Sequence, residues 1–73
     1  MSRAAAIGDE RRLAGYALAG AEVLPAATAA DARAAWDALA EDVALVVLTP
    51  DVVPALAGRL GGRPGVVWAV VPE

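Results

Sequence analysis

The chain has 73 residues, of which 59% are hydrophobic and 21% charged, and its formal net charge is -3. This composition predicts one small folded domain and is too apolar for a disordered tail. A mildly acidic chain without a basic face does not suit nucleic-acid binding. Because the sequence contains neither cysteine nor histidine, disulfides, thiolate chemistry, histidine acid–base catalysis and nearly all zinc sites are excluded.

The longest strongly apolar run covers residues 43–48, far fewer than the roughly 20 that a membrane span needs. The first residues contain too short an apolar stretch for a signal peptide. We therefore expect a cytoplasmic protein that does not insert directly into a membrane.

The first third of the chain predicts a strand, a helix and a second strand. Residues 4–7 form a short apolar run that stops at Gly8. Asp9 can cap a helix that continues to about Ala19, and Gly20 suits its end. Residues 22–24 form a short second strand, which Pro25 closes.

The remainder continues the alternation of helices and strands. Thr28 and Asp31 resemble a capping box at the start of a second helix. Residues 43–48 are continuously apolar, as in a strand covered on both faces. Asp51 can cap a third helix that continues to Leu60, residues 61–65 form a loop, and residues 66–71 form the last strand.

This alternation predicts an α/β fold with four parallel strands and right-handed crossovers. We expect the strand order 2-1-3-4 with helices on both faces, as in flavodoxin-like and receiver-like folds, and a switch point between the first and third strands. The predicted core consists of Ile7, Leu13, Leu18, Val23, Ala35, Trp36, Leu39, Leu45, Val47, Leu56, Leu60, Val67 and Ala69.

The predicted carboxyl end of the sheet carries acidic residues and no phosphate-binding motif. Asp9 and Glu10 at the first helix start would repel a phosphate, and no glycine-rich nucleotide loop is present. A phospho-receiver would place its acceptor aspartate where Leu48 and Thr49 stand. One interpretation makes Asp9, Glu10 and Asp51 ligands for a hard cation. The favoured interpretation makes Asp9 and Asp51 helix caps, which is the commoner role. We predict no cofactor, no metal and no catalytic residue.

Two segments resemble the F subunit of the V/A-type ATP synthases. The first is Ile7-Gly8-Asp9, and the second is the stretch from Leu13 to Val23. The residues that match the family pattern in register are Gly8, Asp9, Gly15, Tyr16, Leu18, Ala19 and Gly20. The outline of later elements agrees over essentially the whole chain, so the resemblance implies a single globular domain of this type over residues 1–73, lacking the family's C-terminal helical extension.

The resemblance implies a non-catalytic component of the central rotor stalk. Such a component binds the coiled coil of the stalk's D subunit, can approach the catalytic A/B head, and couples rotation to ATP synthesis or hydrolysis. It would lie in the cytoplasm, peripheral to the membrane, within the ATPase complex. Two other interpretations stay open: a receiver-like interaction module without a phosphorylation site, and an enzyme or small-ligand binder at the switch point.

Four residues are candidates for contact with a protein partner. Trp68 lies on the long last strand, where an aromatic side chain near an unpaired edge is typical of an interface anchor, and Arg59 and Arg63 precede that strand. Tyr16 follows Gly15, whose presence inside a helix costs about 1 kcal/mol relative to alanine. Gly15 therefore marks either close helix–sheet packing within the domain or contact with a partner.

Overall fold

A computed structural model describes residues 3–72 of the chain. Its four strands are β1 (Arg3–Gly8), β2 (Glu22–Pro25), β3 (Val43–Leu48) and β4 (Val67–Val70). Its helices are α1 (Glu10–Leu18), α2 (Ala29–Asp37) and the single turn α3 (Val53–Leu56), which follows a 3₁₀-helix over Pro50–Val52.

The strands form one parallel sheet in the order β2-β1-β3-β4. This confirms the predicted α/β architecture, its flavodoxin-like strand order and the position of the switch point between β1 and β3. The two edges of the sheet are β2 and β4, so the outer side of β4 pairs with no other strand of the described chain.

The helix starts follow the predicted caps in two of three cases. The Asp9 carboxylate accepts a hydrogen bond from the Arg11 backbone N–H at 3.0 Å, and the Thr28 hydroxyl accepts one from the Asp31 N–H at 3.1 Å. Each bond satisfies a backbone donor that the first helical turn leaves without a partner. Gly20 follows α1 with φ +96°, a left-handed conformation that glycine adopts without strain.

Asp51 does not cap the third helix, which corrects the prediction for this region. Asp51 lies inside the 3₁₀-helix, and neither that turn nor α3 has a side-chain cap. The α-helical turn also ends at Leu56 rather than at Leu60. Gly58 follows two residues later, and glycine is about 1 kcal/mol less favourable than alanine within a helix, so the chain continues in turns instead.

The main core lies between one face of the sheet and the helices α2 and α3. Strand residues of that face alternate with those of the opposite face, so Ala5 and Ile7 share it with their register partners Val46 and Leu48. Trp36 on α2 packs into this cluster with only 4% of its surface exposed. The buried residues of the cluster are Ala5, Ile7, Ala26, Ala32, Trp36, Leu39, Val43, Val46, Leu48, Val52 and Leu56.

The predicted core is therefore correct for much of the helices and wrong for much of β3 and β4. Leu45 is 39% exposed, Val67 is 66% exposed, and Ala69 is also exposed. These residues belong to the other face, which no helix of the described chain covers over β3 and β4, so the expectation of a strand covered on both faces is wrong. Leu18 is 92% exposed because it lies five residues from buried Leu13, roughly 140° around the helix. Four predicted core residues are only partly buried, namely Val23, Ala35, Val47 and Leu60.

We predict that Trp36→Ala lowers the free energy of unfolding by about 3–5 kcal/mol, because it leaves a large cavity in the main core. Trp68→Ala is the matched control, since Trp68 is 39% exposed and should cost clearly less. Urea denaturation of both variants measures the difference. An unchanged unfolding midpoint for Trp36→Ala would contradict the packing described here.

Candidate functional site

The carboxyl ends of β1 and β3 meet at a close contact between Gly8 and Thr49. Gly8 has φ +142°, and a Cβ atom built there would overlap the Thr49 side chain. The Thr49 hydroxyl oxygen accepts a hydrogen bond from the Asp9 N–H at 3.1 Å, and Thr49 itself is fully buried. The Gly8 carbonyl accepts a further bond from the Ala26 N–H at 2.9 Å. This junction therefore joins the ends of three strands and requires glycine at position 8.

Beside the junction lies an open cleft of about 670 Å³ with an acidic lining. Asp9, Glu10 and Asp51 all line it, together with Arg11. Within residues 3–72, however, no group of three or more carboxylates is close enough to hold a metal ion. Thr49 stands where a receiver would carry its acceptor aspartate, and its hydroxyl oxygen already accepts a hydrogen bond from the Asp9 N–H.

Helix α1 carries the candidate residues Gly15 and Tyr16, which differ in their burial. Tyr16 is half-buried, whereas Gly15 is exposed. A Cβ atom at Gly15 would meet nothing within 4 Å, so close helix–sheet packing within the domain does not explain this glycine. Contact with a partner remains a prediction for both residues.

The two candidate arginines are engaged within the domain. Arg59 forms an ion pair with Asp37 at 3.1 Å. This pair joins the end of α2 to the turns that follow α3. Arg63 donates to three carbonyl oxygens at the end of α2, those of Trp36, Leu39 and Ala40, at 3.1, 2.6 and 3.0 Å. The guanidinium thus lies at the carboxyl end of α2, where a cation interacts favourably with the helix dipole. Both arginines consequently fix the segment that precedes β4.

Strand β4 carries the fourth candidate, Trp68, and is exposed along its whole length. Trp68 is the register partner of buried Val46, and Val70 is that of buried Leu48, so both lie on the face that α2 and α3 cover. They remain partly exposed, at 39% and 41%, because β4 is the edge strand. Val67 lies on the other face, so β4 presents apolar side chains on both faces of the sheet.

A family model described as ATP synthase (F/14-kDa) subunit matches residues 4–62. The chain belongs to this family of ATP synthase F subunits. The match confirms the resemblance drawn from the motif residues, and it includes β1 to α3. Neither a curated protein nor a solved structure matches the chain. Among the described residues of this F-subunit family member, no helix is long and apolar enough to span a membrane.

The motif residues of this family member have distinct structural roles. Gly8 and Asp9 form the junction with Thr49, and Gly20 allows the turn that ends α1, whereas Gly15 and Leu18 are exposed. Sequence reasoning found Gly8 and Asp9 but missed Thr49, since a lone threonine after a strand carries no signal of its own. It also missed the uncovered face of β3, since Val43–Leu48 is apolar at every position.

An ion pair joins the amino ends of the two central strands of the F-subunit sheet. The Arg3 guanidinium donates to both carboxylate oxygens of Asp42, at 2.7 and 2.9 Å, and so connects the start of β1 to the start of β3. The hydrogen bond from Arg3 holds the pKa of Asp42 below its usual value. Because a lowered folded-state pKa stabilises the ionised form, any contribution of this exposed pair is lost as the pH falls through that lowered pKa.

We predict that Thr49→Val lowers the free energy of unfolding by about 1–3 kcal/mol, because the Asp9 N–H loses its acceptor in a partly buried position. Thr49→Ser keeps the hydroxyl and should lose clearly less, so it is the matched control. Thermal and urea unfolding of both variants provide the measurement. Equal destabilisation by valine and serine would show that the hydrogen bond does not stabilise the junction.

Proposed function

We propose that this chain is a non-catalytic component of the central rotor stalk of a V/A-type ATP synthase. In this role it binds the stalk's D subunit, lies at the periphery of the membrane within the complex, and couples rotation to ion-driven ATP synthesis or hydrolysis. Membership of the ATP synthase F subunit family supports the complex. The motif resemblance supports a place in the central stalk of that complex, and the catalytic A/B head is a further expected neighbour.

The observation that carries the proposal is the distribution of exposed apolar side chains. Apart from Leu18, all the large hydrophobic residues that are exposed within the described chain lie on β3 and β4, namely Leu45, Val67, Trp68 and Val70. Exposed apolar side chains that concentrate on one edge of a small domain in this way are typical of a protein–protein contact. On folding, a domain of this size buries a smaller share of its surface than a larger domain does. A partner that binds only the folded state therefore stabilises it.

A non-catalytic role predicts no specific response to nucleotide or metal. Titration of the protein with ATP, ADP or Mg²⁺, followed by the fluorescence of Trp36 and Trp68, should give no saturable change at micromolar concentrations. The physical reasons are that the described lining of the acidic cleft offers a phosphate no cation other than Arg11, and that no three carboxylates within residues 3–72 are close enough to hold a metal ion. A saturable micromolar response would favour the ligand-binding alternative instead.

The stalk role predicts a direct complex with the cognate D subunit. Mixing the two purified proteins should give a stable one-to-one complex and raise the melting temperature of the domain, because the partner binds the native state. Tyr16→Ala and Trp68→Ala should weaken the complex while the free domain stays folded. The absence of any complex at low, moderate and high salt would contradict the proposed function.

A further inference from the structure

The last part of the described chain, residues 57–72, contains no buried residue. We name this part the β4 segment. The buried residues of the described chain all lie at or before Leu56, and so does every buried member of the main core cluster. Two side chains of the segment, Leu60 and Val66, pack against that cluster, and both stay partly exposed. The buried interior of the domain is therefore formed without the β4 segment.

The backbone of the β4 segment is attached to the rest of the domain through β3. Strand β4 is an edge strand, and β3 is its neighbour in the sheet. The Val71 N–H extends this ladder with a hydrogen bond to the Leu48 carbonyl at 2.8 Å. Before β4 the backbone bonds are local, such as the one from the Gly62 N–H to the Arg59 carbonyl at 3.0 Å. One ladder between two strands thus carries the backbone attachment.

The part of the segment that precedes β4 forms turns and is rich in glycine. Neither helix nor strand is present over residues 57–66. Four glycines lie within this range, namely Gly58, Gly61, Gly62 and Gly65. Because glycine loses more backbone freedom on folding than any other residue, a release of this part recovers much conformational entropy. The composition therefore lowers the free energy that opening requires.

One side chain ties the β4 segment to the carboxyl end of α2. The partly buried Arg63 guanidinium donates to three carbonyl oxygens there, at 2.6–3.1 Å. Hydrogen bonds from a charged donor are stronger than those between neutral groups. The segment's other arginine, Arg59, pairs with Asp37 between side chains that are 39% and 58% exposed, and exposed ion pairs contribute little to stability. Arg63 is therefore the main side-chain attachment of the segment.

We propose that the β4 segment opens as one unit while residues 3–56 stay folded, and that Arg63 controls this opening as a latch on the end of α2. The open state loses the β3–β4 ladder and the Arg63 bonds but keeps every buried residue of the main core. It exposes the outer backbone edge of β3 and releases Trp68. Such contiguous units open below the free energy of global unfolding. The opening is a property of the isolated domain, so its test is independent of the proposed stalk role.

Amide hydrogen exchange of the parent domain, measured by NMR under conditions where it reports the opening equilibrium, tests the separate opening. The Thr49 N–H donates to the Ile7 carbonyl between the central strands at 3.2 Å and reports global unfolding. The protection of the Val71 N–H should be at least about tenfold lower. The Ala69 N–H points to the same side of its strand and should match Val71, whereas fraying would affect Val71 alone. Equal protection of Ala69 and Thr49 would overturn the proposal.

The Ile7→Val variant separates opening of the segment from weakness of the whole domain. Ile7 is buried in the main core on β1, two strands away from β4, so the substitution destabilises the closed and the open state alike. It should accelerate exchange at Thr49 severalfold and leave Ala69 and Val71 within about twofold of the parent. Equal acceleration at all three amides would show that the segment unfolds only with the whole domain, which would refute its separate opening.

Arg63→Ala, with Arg59→Ala as its matched control, tests the latch. Arg63→Ala should accelerate exchange at Val71 at least about tenfold, because three bonds from a charged donor are lost. Thr49 should accelerate by the same factor, since these bonds are absent from the open and the unfolded state alike. Arg59→Ala should stay within about twofold of the parent. Arg63→Lys, which keeps the charge but not the guanidinium fork, should lie between parent and Arg63→Ala. Equal effects of Arg63→Ala and Arg59→Ala, or a parent-like Arg63→Lys, would rule out the latch.

Discussion

The close contact between Gly8 and Thr49 fixes the geometry on which the rest of the domain depends. A side chain at position 8 would collide with Thr49, and the backbone there adopts a conformation that glycine alone tolerates readily. The contact brings the ends of β1 and β3 together, and the Asp9 N–H then bonds to the Thr49 hydroxyl. From this point α1 leaves towards one face of the sheet, whereas the chain after Thr49 enters the 3₁₀-helix. The position of α1, and hence the half of the sheet that α1 leaves uncovered, follows from this junction.

The order and type of the elements were predictable because local signals agreed with the overall fold. Asp9 and Thr28 are caps that act within three residues of their own position, and Gly20 ends a helix through its own backbone conformation. Alternation of strands and helices then restricts the topology, because parallel crossovers are right-handed. The third helix was predicted too long, since Asp51 resembles a cap in sequence while the chain around it forms a 3₁₀-helix.

Which face of β3 is buried could not be predicted from sequence. Every residue from Val43 to Leu48 is apolar, so the alternation that normally distinguishes the two faces is missing, and a shift of one residue exchanges them. The structure buries Val46 and Leu48 and exposes Leu45. The same ambiguity applies to β4, where Trp68 lies on the helix-covered face. The functional consequence is large, because Leu45, Val67 and Ala69, which were expected in the core, lie on the uncovered face of β3 and β4.

The central claim is that this ATP synthase F subunit acts through an apolar protein contact on β3 and β4. The most direct measurement is methyl NMR of the domain, labelled on valine and leucine and titrated with the unlabelled cognate D subunit. The account predicts large shift changes, and intermolecular contacts, for the methyl groups of Leu45, Val47 and Val67, with little change at Leu18 and at buried Val52. Shift changes confined to Leu18 or to residues beside the acidic cleft, with the methyl groups of Leu45, Val47 and Val67 unchanged, would contradict it.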